Sequence, residues 1–454
     1  MKAKNTAYWS RIIGIALPIV INNLISQLQM LIDKIFLGRL TLECMSAVGN
    51  ASGPIWTTMS TIFSMTLGGT ILISQAIGAN DQKRARDIMA SVFKYNNILS
   101  LFWFVFWILG ARSVFRMMGV DDSVIDMSVN YARFLAPIFF ITGINASVSS
   151  MLQVSEKTKI LAIYGIVRSG ANIVLDYLLI FGKFGLPRME VSGAALATTL
   201  ADYIGGVVIL IYIVCAKNLI VKPKLFEIIK AKGSNYIGAV KVGIPAALEE
   251  FAWNFGNLFL IVMLNRVSAV AAGIYAIIFS VELLPVVIFN GLGQATLTLS
   301  GQEDGRGNRK DVRKLVSISF IWSIMIAALI LICFIAFPST IMNMFTTDQS
   351  VITASTIYLI IVGIDLFPKS ANIIIGSGIR GFGDTMWMLK TQIFGTFFVI
   401  TASAIMVVVL HMGMLEIFWL VVVDETLRSL LNLWKLRKET KASQCSEKLQ
   451  LNES

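Results

Sequence analysis

Residues 121–131 read DDSVIDMSVNY, and residues 348–358 read DQSVITASTIY. Laid over each other they pair Asp121 with Asp348, Ser123 with Ser350, Val124 with Val351, Ile125 with Ile352 and Tyr131 with Tyr358, at one offset of 227 positions. Followed outward, the same offset pairs Pro18 with Pro245, Arg39 with Arg266, Gln75 with Gln302, Gly78 with Gly305, Arg86 with Arg313 and Thr158 with Thr385. It holds without a gap from the first apolar run of each half to the connection before the fifth. Shared apolar composition does not produce matches among polar and conformationally special residues. The chain therefore reads as a duplication of 1–227 in 228–454.

What is duplicated is a membrane unit. The 454 residues are 56% hydrophobic and 14% charged, against roughly 25% charged in an average soluble domain. Mean hydropathy is +0.75. Apolar runs fall at roughly 12–32, 51–77, 92–114, 128–151, 160–182 and 192–215, then at 238–264, 271–299, 315–337, 355–378, 388–410 and 413–434. Each can cross a hydrocarbon core about 30 Å thick. The first follows Lys2, Lys4 and Arg11 and continues to Ile32 without a small-residue cleavage site, so it reads as a retained helix.

Lysine and arginine collect in the even-numbered connections: Lys83, Arg84 and Arg86; Lys157 and Lys159; Arg306, Arg309, Lys310, Arg313 and Lys314. The linker 216–237 adds Lys217, Lys222, Lys224, Lys230 and Lys232, and the tail is also basic. Both termini are expected in the cytoplasm. With six runs per half, the second half enters the membrane in the same sense as the first. The expected fold is all-α and polytopic: twelve transmembrane helices in two parallel-related six-helix lobes around a central cavity. The N-terminal lobe is 1–227, including the start of the linker. The C-terminal lobe is 228–454, with a short cytoplasmic tail whose last part, 439–454, reads as disordered.

Several function classes drop out. The net charge of +11 sits in short loops, where topology explains it without nucleic acid. Cys44, Cys215, Cys333 and Cys445 have no metal or redox spacing, and His411 is the only histidine. No P-loop motif and no convergent catalytic set occur, so neither an enzyme nor a cofactor is expected.

Ionisable groups at bilayer depth are costly and point to function. Asp176 stands mid-run with no adjacent base, so it needs a partner, a proton or a cation. Asn172 lies on the same helical face, and Thr198 adds a hydroxyl. Asp202, four residues beyond Thr198, either joins that pocket or stabilises the lobe. Asp33, beside Lys34, is either interfacial or turned inward. In the second half, Glu249 and Glu250 follow Pro245 and point about 100° apart, so one of them faces a cavity. Pro18 and Pro245 each free a backbone carbonyl and are expected to bend their helices. Glu282 and Asp365 extend the acidic set, and Lys369 stands where it could pair with Asp365. Asp424, Glu425 and Arg428 cluster in the last run without an assigned role.

The stretch GIALPIVINNLISQLQMLIDKIFLGRL (14–40) resembles the opening helix of multidrug and toxic compound extrusion (MATE) transporters. NIVLDYLLIFG (172–182) with VSGAALATTLAD (191–202) is similar to their fifth and sixth helices. SQAIGANDQKRAR (74–86) and SGQEDGRGNRKDVR (300–313) resemble the family's paired loops, and GIRGFGDT (378–385) the loop before its eleventh helix. The resemblance covers essentially the whole chain, including features of the DinF-like branch. It implies a secondary antiporter that exports small cationic or amphiphilic drugs and toxins in exchange for H⁺ or Na⁺ by alternating access. It implies an inward-facing Asp33, and a proton- or sodium-responsive pocket of Asn172, Asp176 and Thr198, whose oxygen donors suit a hard cation. No metal beyond Na⁺ is expected. Many members carry their C-lobe acid further along the helix, where Trp253 and Asn254 stand here, so the role of Glu249 or Glu250 stays open. The alternative is a lipid-linked oligosaccharide flippase of the wider superfamily, which would favour a basic cavity. A monomer in a bacterial cytoplasmic membrane is expected.

Overall fold

A computed structural model describes residues 2–216, 219–346 and 348–452. Lys217 lies outside them, as do the side chains of Lys2, Lys4, Ser350, Cys445 and Lys448. No strand occurs among the described residues. The first half builds α1 (Lys2–Leu37), α2 (Leu42–Gly78), α3 (Gln82–Met117), α4 (Asp122–Leu135), α5 (Ile138–Val154), α6 (Lys159–Phe181) and α7 (Glu190–Cys215). A short α8 (Leu225–Ile229) follows. The second half builds α9 (Gly233–Val267), α10 (Ala269–Gly305), α11 (Arg309–Ala336), the short α12 (Pro338–Met342), α13 (Gln349–Gly381), α14 (Thr385–Ala404) and α15 (Met414–Asn452).

The duplication is visible in the element ends. Helix α2 stops at Gly78 and α10 at Gly305; α3 starts at Gln82 and α11 at Arg309; α4 starts at Asp122 and α13 at Gln349. The matching turns use matching backbone. Asn80 (φ 59°) and Gly307 (φ 76°) both take the left-handed conformation, which asparagine and glycine tolerate best. Asp81 caps α3 by accepting from the Arg84 N–H at 2.9 Å, and Asn308 stands at the same place before α11. The repeated Asp-x-Ser segment is a helix start. Asp121 accepts from the Ser123 N–H at 2.8 Å, and Asp348 from the Val351 N–H at 3.5 Å. Those bonds from Ser123 hold the exposed Asp121 carboxyl below its ordinary range.

Among the described residues ten helices are long and apolar enough to cross a membrane, and the pair α4–α5 makes an eleventh. The expected run 128–151 is not straight: α4 and α5 meet at 46°. Pro137 lacks an N–H and cannot donate to the carbonyl four residues back, at Arg133, which interrupts the helical hydrogen bonding at the break. Helix α15 is the twelfth long element; Asp424, Glu425 and Arg428 lower its apolar content. It continues helically to Asn452, over the stretch expected to be disordered. Pro18 and Pro245 lie inside the continuous helices α1 and α9.

By contacts, the described residues form two compact units. One comprises Leu17–Ala76 and Asp81–Ile244; the other lies within Met1–Ala16, Ile77–Asn80 and Pro245–Ser454. The division differs from a cut at 227. It falls beside the two prolines, so α1 and α9 each contribute to both units. We call them the first and second unit. The first packs Trp107, Phe115 and Phe139 at its centre, and the second Phe289, Leu359 and Leu366. Large apolar side chains such as Leu109, Val214 and Phe397 remain more than two-thirds exposed, as suits helices solvated by lipid.

Small residues let helix backbones meet, since lipid supplies no hydrophobic drive between helices. In the first unit a Cβ on Gly68 would strike the Ala239 carbonyl, and one on Gly243 would reach the Ser64 carbonyl at 2.5 Å. The α2–α9 contact is therefore backbone on backbone. Gly243→Val is expected to lower stability by about 1–3 kcal/mol. Thermal unfolding of the purified protein in detergent checks this; an unchanged midpoint would mean that the helices part without cost.

Candidate functional site

In the first unit three helices bring their polar positions together. Helix α1 supplies Gln29 and Asp33, one turn apart. Helix α6 supplies Ser169, Asn172 and Asp176, at a spacing that places them on one face. Helix α7 supplies Thr198 and Asp202. Asp176 is 1% exposed, and Asn172 is fully buried; Asp33 and Thr198 are partly buried.

Hydrogen bonding joins these groups. With its nitrogen turned toward the acids, Asn172 donates to Asp33 Oδ1 at 3.0 Å and to Asp176 Oδ2 at 3.1 Å. Turned the other way, its Nδ2 reaches Thr198 Oγ1 at 3.4 Å. Ser169 Oγ donates to Gln29 Oε1 at 2.9 Å, and Gln29 Nε2 to Asp33 Oδ2 at 3.4 Å. Asp176 Oδ1 is buried without a hydrogen-bond partner. Two carboxylates thus share one neutral amide, with one oxygen left over. Gln29 and Ser169 were not among the expected residues; their i,i+4 and i,i+7 spacing to Asp33 and Asp176 was the available signal.

Asp202 is placed differently. Its Oδ2 lies 3.5 Å from Arg168 Nη1, and Tyr164 Oη donates to its Oδ1 at 3.3 Å. Arg168 also donates to Ser26 Oγ at 2.7 Å. Of the two readings open for Asp202, this geometry matches a fixed ion pair tying α7 to α6 and α1. Arg168 is thereby spent on Asp202.

The second unit holds the other acids, nearly all with bases. Glu249 pairs with Arg380. Lys369, partly buried on α13, pairs with both Glu282 of α10 and Asp365. Arg428 holds Asp424 and Glu425, each at 2.8 Å, and donates to Gln392 Oε1 at 2.7 Å. Asn372 donates to Glu425 Oε2 at 2.7 Å. A cavity in this unit is lined by Glu282 and Asp365 but by neither Glu249 nor Glu250. Glu250 is partly buried one position on from the Glu249–Arg380 pair. The bases Lys369 and Arg380 stand on α13 opposite acids of α10 and α9, pairings that the sequence does not display.

Comparison with known proteins agrees with this architecture. The family model MatE matches residues 18–178 and 245–428, starting each time at one of the paired prolines. A probable multidrug resistance protein NorM of Thermotoga maritima is 28% identical over 382 residues, covering 83% of this chain and 80% of the relative. A probable multidrug resistance protein YoeA of Bacillus subtilis is 22% identical over 396 residues, covering 87% and 85%. An outward-facing structure of a multidrug resistance MATE family transporter of the MOP superfamily has the same fold. It superposes with a TM-score of 0.86 at 20% identity, covering 95% of this chain and 96% of that one.

Proposed function

The chain belongs to the MatE family and is a multi-pass membrane transporter, and we propose from that premise that it is a cation-coupled exporter of small amphiphilic or cationic compounds. The observation that carries the reading is the Asp33–Asn172–Asp176 arrangement. Two carboxylates held by one buried amide, their nearby base spent elsewhere, need positive charge between them. A proton or a sodium ion supplies it, and Asp176 Oδ1 offers the free acceptor. The occupancy of such a site responds to the gradient across the membrane. If occupancy favours one access state over the other, ion entry drives export by alternating access. The protein would act as a monomer in a bacterial cytoplasmic membrane with both termini inside. Its multidrug-resistance relatives support the substrate class. The flippase alternative calls for unpaired bases facing a pyrophosphate, whereas Lys369, Arg380 and Arg428 are each held by carboxylates.

Everted membrane vesicles with ethidium supplied in the outer medium test the proposal, since inversion turns export into uptake. Ethidium transport is expected to stop when one gradient, H⁺ or Na⁺, is collapsed and to survive collapse of the other. Transport that persists with both gradients collapsed would overturn the coupling.

A further inference from the structure

The connection between the repeats, 216–237, has a fastened backbone and apolar side chains that the protein leaves uncovered. Its helix α8 has five residues, too few to persist alone. Neighbours hold it in place, all within the first unit. Glu227, the one carboxylate of the connection, turns back to accept the Lys224 N–H at 2.7 Å. Lys94 of α3 donates to the Ile229 carbonyl at 2.8 Å and to that of Ala231 at 3.3 Å. Ser91 donates to the Lys232 carbonyl at 3.1 Å. Lys222 closes the end of α7 by donating to the Ile213 carbonyl at 2.6 Å.

This anchoring presents an apolar stripe. Leu225, Phe226 and Ile229 fall within about 100° around the α8 axis, and they are 74%, 61% and 63% exposed. Lys224, Lys230 and Lys232 are exposed around them, and Lys230 Nζ lies 4.1 Å from the centre of the Phe226 ring. Since Glu227 is engaged with backbone, these three lysines have no carboxylate of their own segment to neutralise them.

The depth of α8 says what covers the stripe. Ser91 and Lys94, to which it is tied, stand at the start of the apolar run 92–114, and the connection joins the end of run 192–215 to the start of run 238–264. Tyr95 and Tyr236 stack at 5.2 Å at the same level, the pairing of ring and hydroxyl that suits the membrane–water boundary. Apolar side chains at that boundary enter the upper acyl region, while lysine stems carry their charge back to the headgroups. A zwitterionic headgroup cancels its own phosphate with an amine. An anionic one leaves net charge for the lysines.

We propose that α8 and its flanks are a binding surface for anionic phospholipid. Leu225, Phe226 and Ile229 seat its acyl chains, and Lys224, Lys230 and Lys232 meet its phosphate. That the lipid belongs to the cytoplasmic leaflet rests on the orientation proposed above; the binding surface itself does not.

The test is photo-crosslinking of the full-length protein in nanodiscs with phosphatidylglycerol or phosphatidylcholine, each at the same mole fraction and carrying the same diazirine acyl chain. Adducts on residues 225–229 are counted by mass spectrometry. Phosphatidylglycerol is expected to give at least about fivefold more adduct there, the scale of one lysine at an anionic surface. The triple substitution Lys224→Gln, Lys230→Gln, Lys232→Gln is expected to bring the two lipids to near equality, with the phosphatidylcholine yield unchanged. Equal yields in the unaltered protein, no adduct on 225–229, or a preference that survives the triple substitution would overturn the surface. The comparison of two lipids on unaltered protein decides even where the variant does not fold. Loss of gradient coupling in the vesicle assay would sink the exporter reading and leave this result standing.

Discussion

Asp176→Asn is expected to end gradient-driven ethidium efflux while the protein remains in the membrane at the level of the unaltered chain. The substitution is nearly isosteric, and Asp176 is 1% exposed inside helix-on-helix packing, so the local shape survives. What changes is charge. Asparagine neither carries a proton at the coupling step nor offers an anionic oxygen to sodium. Asp33 alone, partly buried and still bonded to Gln29, keeps one negative charge where two had to be balanced. The fall in gradient-driven rate should be at least about tenfold, the low end of what losing even an outer ligand costs a bound cation. Substrate exchange without a gradient should change much less, since coupling and not substrate contact is removed. Ethidium efflux from a drug-hypersensitive host, at matched expression, reads the first quantity, and counterflow in vesicles reads the second. Unchanged efflux would take the coupling role from the first unit and give it to the acids of the second.

That prediction rests on residues visible in the sequence because their signal is local. Asp176 is conspicuous as a carboxylate in an apolar run, and Asn172 follows from helical spacing. The repeat was equally legible: Asp121 and Asp348 stand out because both cap helices, and Asn80 and Gly307 because both turn the chain through positive φ. Less was legible where partners lie on different helices. Glu249 reads as one of two adjacent acids after Pro245, with no base in view, until α13 brings Arg380 to it. The i,i+4 relation shows Lys369 beside Asp365 but not beside Glu282, 87 positions away on α10. Asp202 could not be separated from the pocket until Arg168 and Tyr164 were seen to claim it. Helix crossings decide these cases, and crossings are set by packing rather than by spacing along one helix. The bend between α4 and α5 passed unseen for another reason. Hydropathy averages over a proline, although Pro137 breaks the backbone.

Arg428→Met should cost more stability than any other single change in the second unit. Arg428, Asp424 and Glu425 are 8%, 5% and 5% exposed, and the guanidinium bonds both acids and Gln392. Methionine fills much of the same volume, so the loss is electrostatic rather than a cavity. It strands two buried carboxylates, with Lys369 already divided between Glu282 and Asp365. Removing one partner of a buried ion set costs about 3–5 kcal/mol, whereas replacing the whole set with neutral groups of similar shape is often close to neutral. The triple variant Arg428→Met, Asp424→Asn, Glu425→Gln should therefore recover most of what the single change loses. Unfolding midpoints of the three forms in the same detergent separate the possibilities. If single and triple variants lose equally, the stem of Arg428 acts through packing against its neighbours, and its charge is incidental. If the triple recovers, the set is an electrostatic device that adds little net stability.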